Sequence, residues 1–204
     1  MARYTGPKVK IFRREGINIF DANTSKFKAV VKKNYAPGVH GKNAFGKKSE
    51  FSKQLREKQK AKKVYGILER QFKKYYTEAT KAQDITGDAL MKICERRLDN
   101  VIYRAGMSKT RFHGRQMANH GIFKLNGKKV TIPSILLKQG DVLEARDKAK
   151  KHKYFEELSK KKVNIPRWLK VDKANLKIEI VGIPQSDDFE KTINSQLIIE
   201  YYSK

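Results

Sequence analysis

A single cysteine in 204 residues excludes any internal disulfide. Cys94 falls on an apolar helical stripe, which makes it a buried, reduced thiol rather than a nucleophile. No apolar run is long enough to span a bilayer, no amphipathic terminal helix offers an anchor, and no signal-peptide pattern opens the chain. Acidic residues are scarce. There are 21 Asp+Glu against 47 Lys+Arg, a formal net charge of +26. Such a surplus makes a compact chain repel itself and calls for a polyanionic partner. With no apolar span, nucleic acid fits better than a membrane.

What the chain has is organised around residues 88–132. Leu90, Cys94, Leu98, Val101, Ile102 and Ala105 give one buried stripe, so the spacing predicts a helix ending at Gly106. Ser108 is the expected N-cap of a second helix, on which Arg111, Arg115 and Asn119 recur every four residues and share one face. Gly121 ends it. Residues 122–125 and 128–132 read as strands around Asn126-Gly127, the strongest short hairpin signal. Lys128 and Lys129 follow the turn.

Residues 1–50 read as a basic arm, with twelve Lys+Arg against three acids. Gly and Pro are expected to interrupt any helix there, and Tyr4, Phe12, Phe20, Phe27, Tyr35 and Phe45 lie among the cations. Interleaved cations and aromatics suit neutralising a nucleic-acid backbone and stacking on it. Residues 49–80 return to helical spacing through Val64, Leu68, Phe72, Tyr75 and Ala79, with Gly66 marking a break or a close contact. A polar loop precedes Asp88, a possible helix cap. Residues 141–146 alternate as a strand. The lysine-rich 147–163 predicts an exposed helix, Trp168 a packing anchor, and residues 171–181 another hairpin. Residues 186–190 carry a helix-start pattern, and the apolar tail ending Ile198-Ile199-Glu200-Tyr201-Tyr202 calls for a partner surface.

Several strings carry a resemblance. Arg96-Arg97-Leu98-Asp99-Asn100-Val101, Arg111, Arg115-Gln116, His120-Gly121 and Leu125-Asn126-Gly127-Lys128 resemble the small RNA-binding domain named after ribosomal protein S-four. The opening 1–8 with Arg13-Arg14-Glu15-Gly16, the turn Pro37-Gly38-Val39-His40-Gly41, the strings 54–60 and 65–72, and the tail resemble the bacterial-type S-four family of small-subunit ribosomal proteins over the full chain. The resemblance implies an α+β fold. It would have a basic extended arm (1–44), a helical domain (45–95, completed by the tail 185–204) and an α/β domain (96–184). The last holds the RNA-binding module at 96–146, a helix-turn-helix plus antiparallel sheet.

The resemblance also implies a function. The chain is expected to be a cytoplasmic structural constituent of the small ribosomal subunit. It would bind small-subunit (16S) ribosomal RNA directly at a helical junction of the 5′ domain, nucleate assembly, contribute to translational accuracy, and touch ribosomal protein S-five and mRNA where it enters. Its expected RNA contacts are Arg3, Arg13, Arg14, Lys58, Lys62, Arg111, Arg115, Asn119 and Lys128. Lys42, Lys47 and Lys48 correspond loosely to the family's basic mRNA patch. Some members hold zinc in the arm through cysteines; this arm has none, so no metal and no cofactor are expected. Gly114 and Phe112 stand where the family has small helix-formers, and Gly114 is expected to weaken the second helix.

Catalysis finds no constellation. Met107-Ser108-Lys109-Thr110 echoes a synthetase loop without its first lysine or a nucleotide-binding unit, and no phosphate-binding loop, nucleophile elbow or paired metal ligands occur. Asp99 is expected to make an ion pair or an orienting contact with its helix neighbours Arg96 and Arg97 rather than to act as a base. An RNA-modifying enzyme or a ribosome-rescue factor sharing only the small module is the alternative; neither needs the arm or the string 54–72.

Overall fold

The computed structural model describes residues 4–17, 25–43, 49–150, 154–155 and 164–203. The chain divides into two units, Met1–Leu90 with Glu190–Lys204, and Met91–Phe189. The fold is α+β.

The first unit is helical. Helix α1 (Lys8–Glu15) stops at Gly16, whose φ of 67° few other residues adopt. Helix α2 (Ser25–Lys32) and a 3-10 turn at Gly41–Asn43 follow, so the arm expected to be extended holds two short helices, which fit between its Gly and Pro residues. Helix α3 (Glu50–Tyr65) begins where Ser49 Oγ accepts from Ser52 N–H; Glu50 sits in its first turn and Lys62 and Lys63 in its last, matching the helix dipole. Gly66, with φ 65°, breaks the backbone before helix α4 (Glu69–Ala79). Phe12, Val64, Tyr65, Phe72 and Tyr75 are buried in this unit. The apolar tail forms helix α9 (Ser195–Tyr202), packed along α3 with Ile198 fully enclosed. Glu57 accepts from Asn194 N–H at 2.7 Å, and Gln54 donates to Glu200 at 2.9 Å.

The second unit begins inside helix α5 (Thr86–Glu95), which starts ahead of Asp88 and carries it in the first turn. The single helix expected from the stripe is two. Helix α6 (Leu98–Arg104) follows an extended Arg97 at φ −63°, ψ 138°. The break is imposed from a distance. Leu98 N–H donates to Ile135 O at 2.9 Å and Leu137 N–H to Arg96 O at 2.9 Å, so residues 96–98 pair with 135–137 as a short bridge. All the stripe residues are nonetheless buried, and burial pushes the Cys94 thiol up to about 12, leaving it unreactive.

Helix α7 (Arg111–Asn119) is capped by Thr110, which accepts from His113 N–H, rather than by Ser108; Ser108 is buried and donates to Thr110 O. Five antiparallel strands lie in the order β2-β1-β3-β5-β4. They are β1 (Phe123–Leu125), β2 (Lys128–Lys129), β3 (Val142–Ala145), β4 (Leu169–Asp172) and β5 (Lys177–Ile180). Asn126 and Gly127, at φ 48° and 80°, make the tight turn that β1–β2 pairing needs. One core joins α6, α7 and the sheet through Leu98, Ile102, Met117, Phe123, Leu143, Ile178 and the buried Trp168.

Of the lysine-rich helix expected at 147–163, helix α8 (Asp147–Lys150) and residues 154–155 are described, and the remainder lies outside the described residues. The helix-start pattern at 186–190 makes only a 3-10 turn, Ser186–Asp188. The next helix waits for the Asn194 cap, which accepts from Gln196 N–H.

Candidate nucleic-acid interface

The helical face of Arg111, Arg115 and Asn119 turns out to face inward at two of its three positions. Arg111 Nε donates to Asn100 Oδ1 at 2.8 Å, and its guanidinium lies 4.6 Å from the Tyr103 ring centre. Arg115 reaches Asp99 Oδ2 at 3.4 Å. Arg97, rather than Arg96, grips Asp99 with two bonds of 3.0 and 2.7 Å, while Arg96 donates to Leu137 O. Asn100 donates to Glu95, and Arg104 clamps Glu95 with bonds of 2.9 and 2.6 Å. Three guanidiniums thus meet two carboxylates, and a fourth, that of Arg111, meets the Asn100 amide, in one network built by α5, α6 and α7. Charge so fixed raises the local potential toward an approaching phosphate.

Glu95 and Arg104 escaped the sequence reading, and Asn100 entered it only within the resembling string, because the break at Arg97 separates Glu95 from its two partners on α6. Gly114 has a reason that spacing cannot show. A Cβ there would come within 2.6 Å of Asp99 O and 3.0 Å of Ser108 Oγ, so the glycine lets α7 approach α6. It serves the packing that builds the network.

The outward edge of this unit is the end of α7 with the hairpin. Lys128 and Lys129 are exposed, as is His120, and Asn119 is half-buried. A Cβ at Gly121 would come within 2.6 Å of Lys129 Cε, so the return strand closes on the end of α7. Lys129 was legible from the Asn-Gly-Lys-Lys string. Behind this edge is a cleft of about 360 Å³ lined by His113, Met117, His120, Ile122, Arg146 and Tyr154. Burial, with Lys109 nearby, lowers the His113 pKa, which favours a neutral ring; its Nδ1 lies 3.2 Å from Tyr154 Oη.

In the first unit, the expected contacts also divide. Lys58 and Lys62 are buried and both pair with Glu69, at 3.1 and 2.5 Å; Lys58 Nζ also lies 4.3 Å from the Tyr201 ring centre. Burial pushes the Glu69 carboxyl up, but hydrogen bonds from Lys62, Tyr202 and Lys58 outweigh it and hold the group down at about 2. Arg13 donates to Lys33 O and Tyr35 O and lies over the Tyr35 ring, so it pins the loop after α2. Arg14 is exposed, as is Lys42, whose Nζ stands 5.6 Å from the Tyr35 ring centre. Arg3, Lys47 and Lys48 lie outside the described residues. Among the described residues no group of His, Cys, Asp and Glu has the geometry to hold a metal ion.

Comparison with known proteins agrees on both units. A family model described as "Ribosomal protein S4/S9 N-terminal domain" matches residues 3–95, and one described as "S4 domain" matches residues 96–143. Small ribosomal subunit protein uS4 of Geotalea daltonii is 44% identical over 210 residues, covering all of both chains. The uS4 proteins of Chlorobaculum tepidum and Acinetobacter baumannii are each 45% identical, again over all of both chains. Two adjoining family matches and full-length identity of this order place the chain in the uS4 family of small ribosomal subunit proteins.

Proposed function

We propose that this chain is a structural protein of the small ribosomal subunit that binds its ribosomal RNA directly, through the exposed cations of each unit, and is not an enzyme. Its place is then the cytoplasmic ribosome. The observation that carries the reading is the family match over residues 3–143, with full-length identity to uS4 relatives, joined to a surplus of 26 positive charges. An RNA-modifying enzyme or rescue factor would share the module at 96–143 without the domain matched at 3–95.

The finer reading assigns the parts. Lys128 at the hairpin, Asn119 at the end of α7, and Arg14 on α1 meet phosphate or sugar, with Arg3 joining them from the arm, while Arg13 supports that surface by holding the loop after α2. Arg111 and Arg115 act on RNA mainly by shaping and charging the surface above them. Lys58 and Lys62 do so by holding α3 to α4. Shape and phosphate position are read more than sequence, as suits folded RNA. The site is a helical junction in the 5′ domain, occupied early in assembly. Neighbouring contacts with ribosomal protein S-five, and with entering mRNA through Lys42, Lys47 and Lys48, would link the protein to translational accuracy.

The test is a mobility shift with the isolated 5′ domain of small-subunit ribosomal RNA and no other protein, in excess bulk tRNA. A shift that persists, and that Lys128→Ala with Lys129→Ala weakens, is expected. A shift that needs other ribosomal proteins present would overturn direct early binding.

A further inference from the structure

A second cleft, of about 430 Å³, lies in the first unit between α1, the turn at Pro37 and Gly38, and α3. Its size is that of a small-ligand site. Lys10, Arg14, Arg56 and Lys63 line it, and so does one carboxylate, Glu15. The Glu15 side chain is only 4% exposed. Its Oε1 accepts from Arg56 Nη1 at 3.1 Å; its Oε2 is buried and has no hydrogen-bond partner among the described residues. A buried acceptor left unsatisfied is rare and calls for an explanation. Burial raises the Glu15 pKa, against the pull of Arg56, Arg14, Lys60 and Lys63, so a donor at Oε2 would relieve a real cost.

The chemistry of the walls narrows the occupant. A metal ion would meet four cations, and a bare phosphate would meet a carboxylate. A ligand carrying one hydroxyl donor beside a negative charge satisfies both. The Tyr4 ring offers little as a base platform, because Lys63 Nζ already sits 4.3 Å from its centre. In RNA the ribose 2′-OH stands next to the 3′-phosphate, and it is the group by which a protein tells RNA from DNA.

We propose that this cleft binds the sugar–phosphate of one ribonucleotide, its 2′-OH donating to Glu15 Oε2 and its phosphate neutralised by Lys10, Arg14, Arg56 and Lys63. The inference rests on the ribosomal RNA reading above and adds a contact to it. One buried carboxylate in a basic surface then makes the protein's binding sensitive to a single 2′-OH.

The test uses the full-length protein and 5′-domain transcripts bearing sparse 2′-deoxy substitutions, with bound and free fractions sequenced. For the wild type, at least one position should show deoxy interference of about tenfold, the size of a hydrogen bond to a charged group. That interference should vanish for Glu15→Ala while the other positions keep theirs. Glu15→Gln, which keeps an acceptor toward Arg56 and nearly the same volume, should reduce it, and serves if the alanine variant does not fold. An identical interference pattern for wild type and variants would overturn the ribose contact and leave RNA binding standing. Failure of the wild type to prefer the 5′ domain over tRNA would instead overturn the functional reading itself.

Discussion

At Gly114 two effects oppose each other. Helix propensity favours Ala over Gly by about 1 kcal/mol in a helix interior. The Cβ, however, would meet the Asp99 carbonyl at 2.6 Å, backbone that cannot swing away. Overpacking of this kind costs about 1–3 kcal/mol. Gly114→Ala should therefore lower stability in urea unfolding, and a gain in stability would show that α7 has room to move. Asp99 is a second such point. It accepts from Arg97, Arg115 and its neighbour's N–H while 3% exposed. Asp99→Ala leaves buried guanidinium without its partner and should cost about 3–5 kcal/mol, read as a lowered unfolding midpoint.

Glu69 makes stability pH-dependent with a defined sign. Its folded-state pKa of about 2 lies below the ordinary 4.5. The contribution is therefore complete above about pH 4.5 and is lost as pH falls toward 2. Glu69→Gln should be less stable than wild type at pH 7, and the gap should close through that window. A gap independent of pH would mean the carboxylate is not the group that holds Lys58 and Lys62. With 45% of its side chain exposed, solvent screens part of the effect.

Among the elements, α9 has the clearest consequence. Ile198 is fully buried where α9 packs in the first unit. Ile198→Ala should cost about 2–5 kcal/mol, measured by chemical denaturation. A loss below 1 kcal/mol would mean that the tail is not integral to that unit. The tail's burial was legible from its apolar run, as were the Asn126-Gly127 turn, the Gly66 break and the amphipathic faces, because each rests on residues near in sequence. The split between α5 and α6 was not. The apolar stripe runs through it, and the cause is pairing with residues 135–137, some forty positions on. The inward turn of Arg111 and Arg115 likewise depends on partners on another helix, Asn100 and Asp99. Periodicity says which residues share a face; it does not say whether a cation on that face meets solvent or a buried Asp99.

For the whole molecule, the charge needs a partner and the fold decides which charges meet it. Buried cations pair with acids inside each unit, at Glu69 in one and at Glu95 and Asp99 in the other. Lysines at the surface, such as Lys128 and Lys129, remain exposed. The family pattern of arginines was thus readable as a string, while its division into framework and surface required the packing. If RNA binding uses the exposed set, substituting Lys128 should change affinity and its salt dependence with unfolding unaltered, and substituting Arg111 should change both.

The most direct measurement is the affinity of the full-length protein for the isolated 5′ domain of small-subunit ribosomal RNA across a salt series, with bulk tRNA as competitor. With about 10 phosphates neutralised, log K should fall against log salt with a slope of roughly −7 to −9. Binding should survive tRNA excess, and Lys128→Ala should make the slope shallower by about one phosphate's share at unchanged stability. Equal displacement by tRNA, whatever the slope, would reduce the protein to a generic polycation and contradict recognition of a folded ribosomal RNA site.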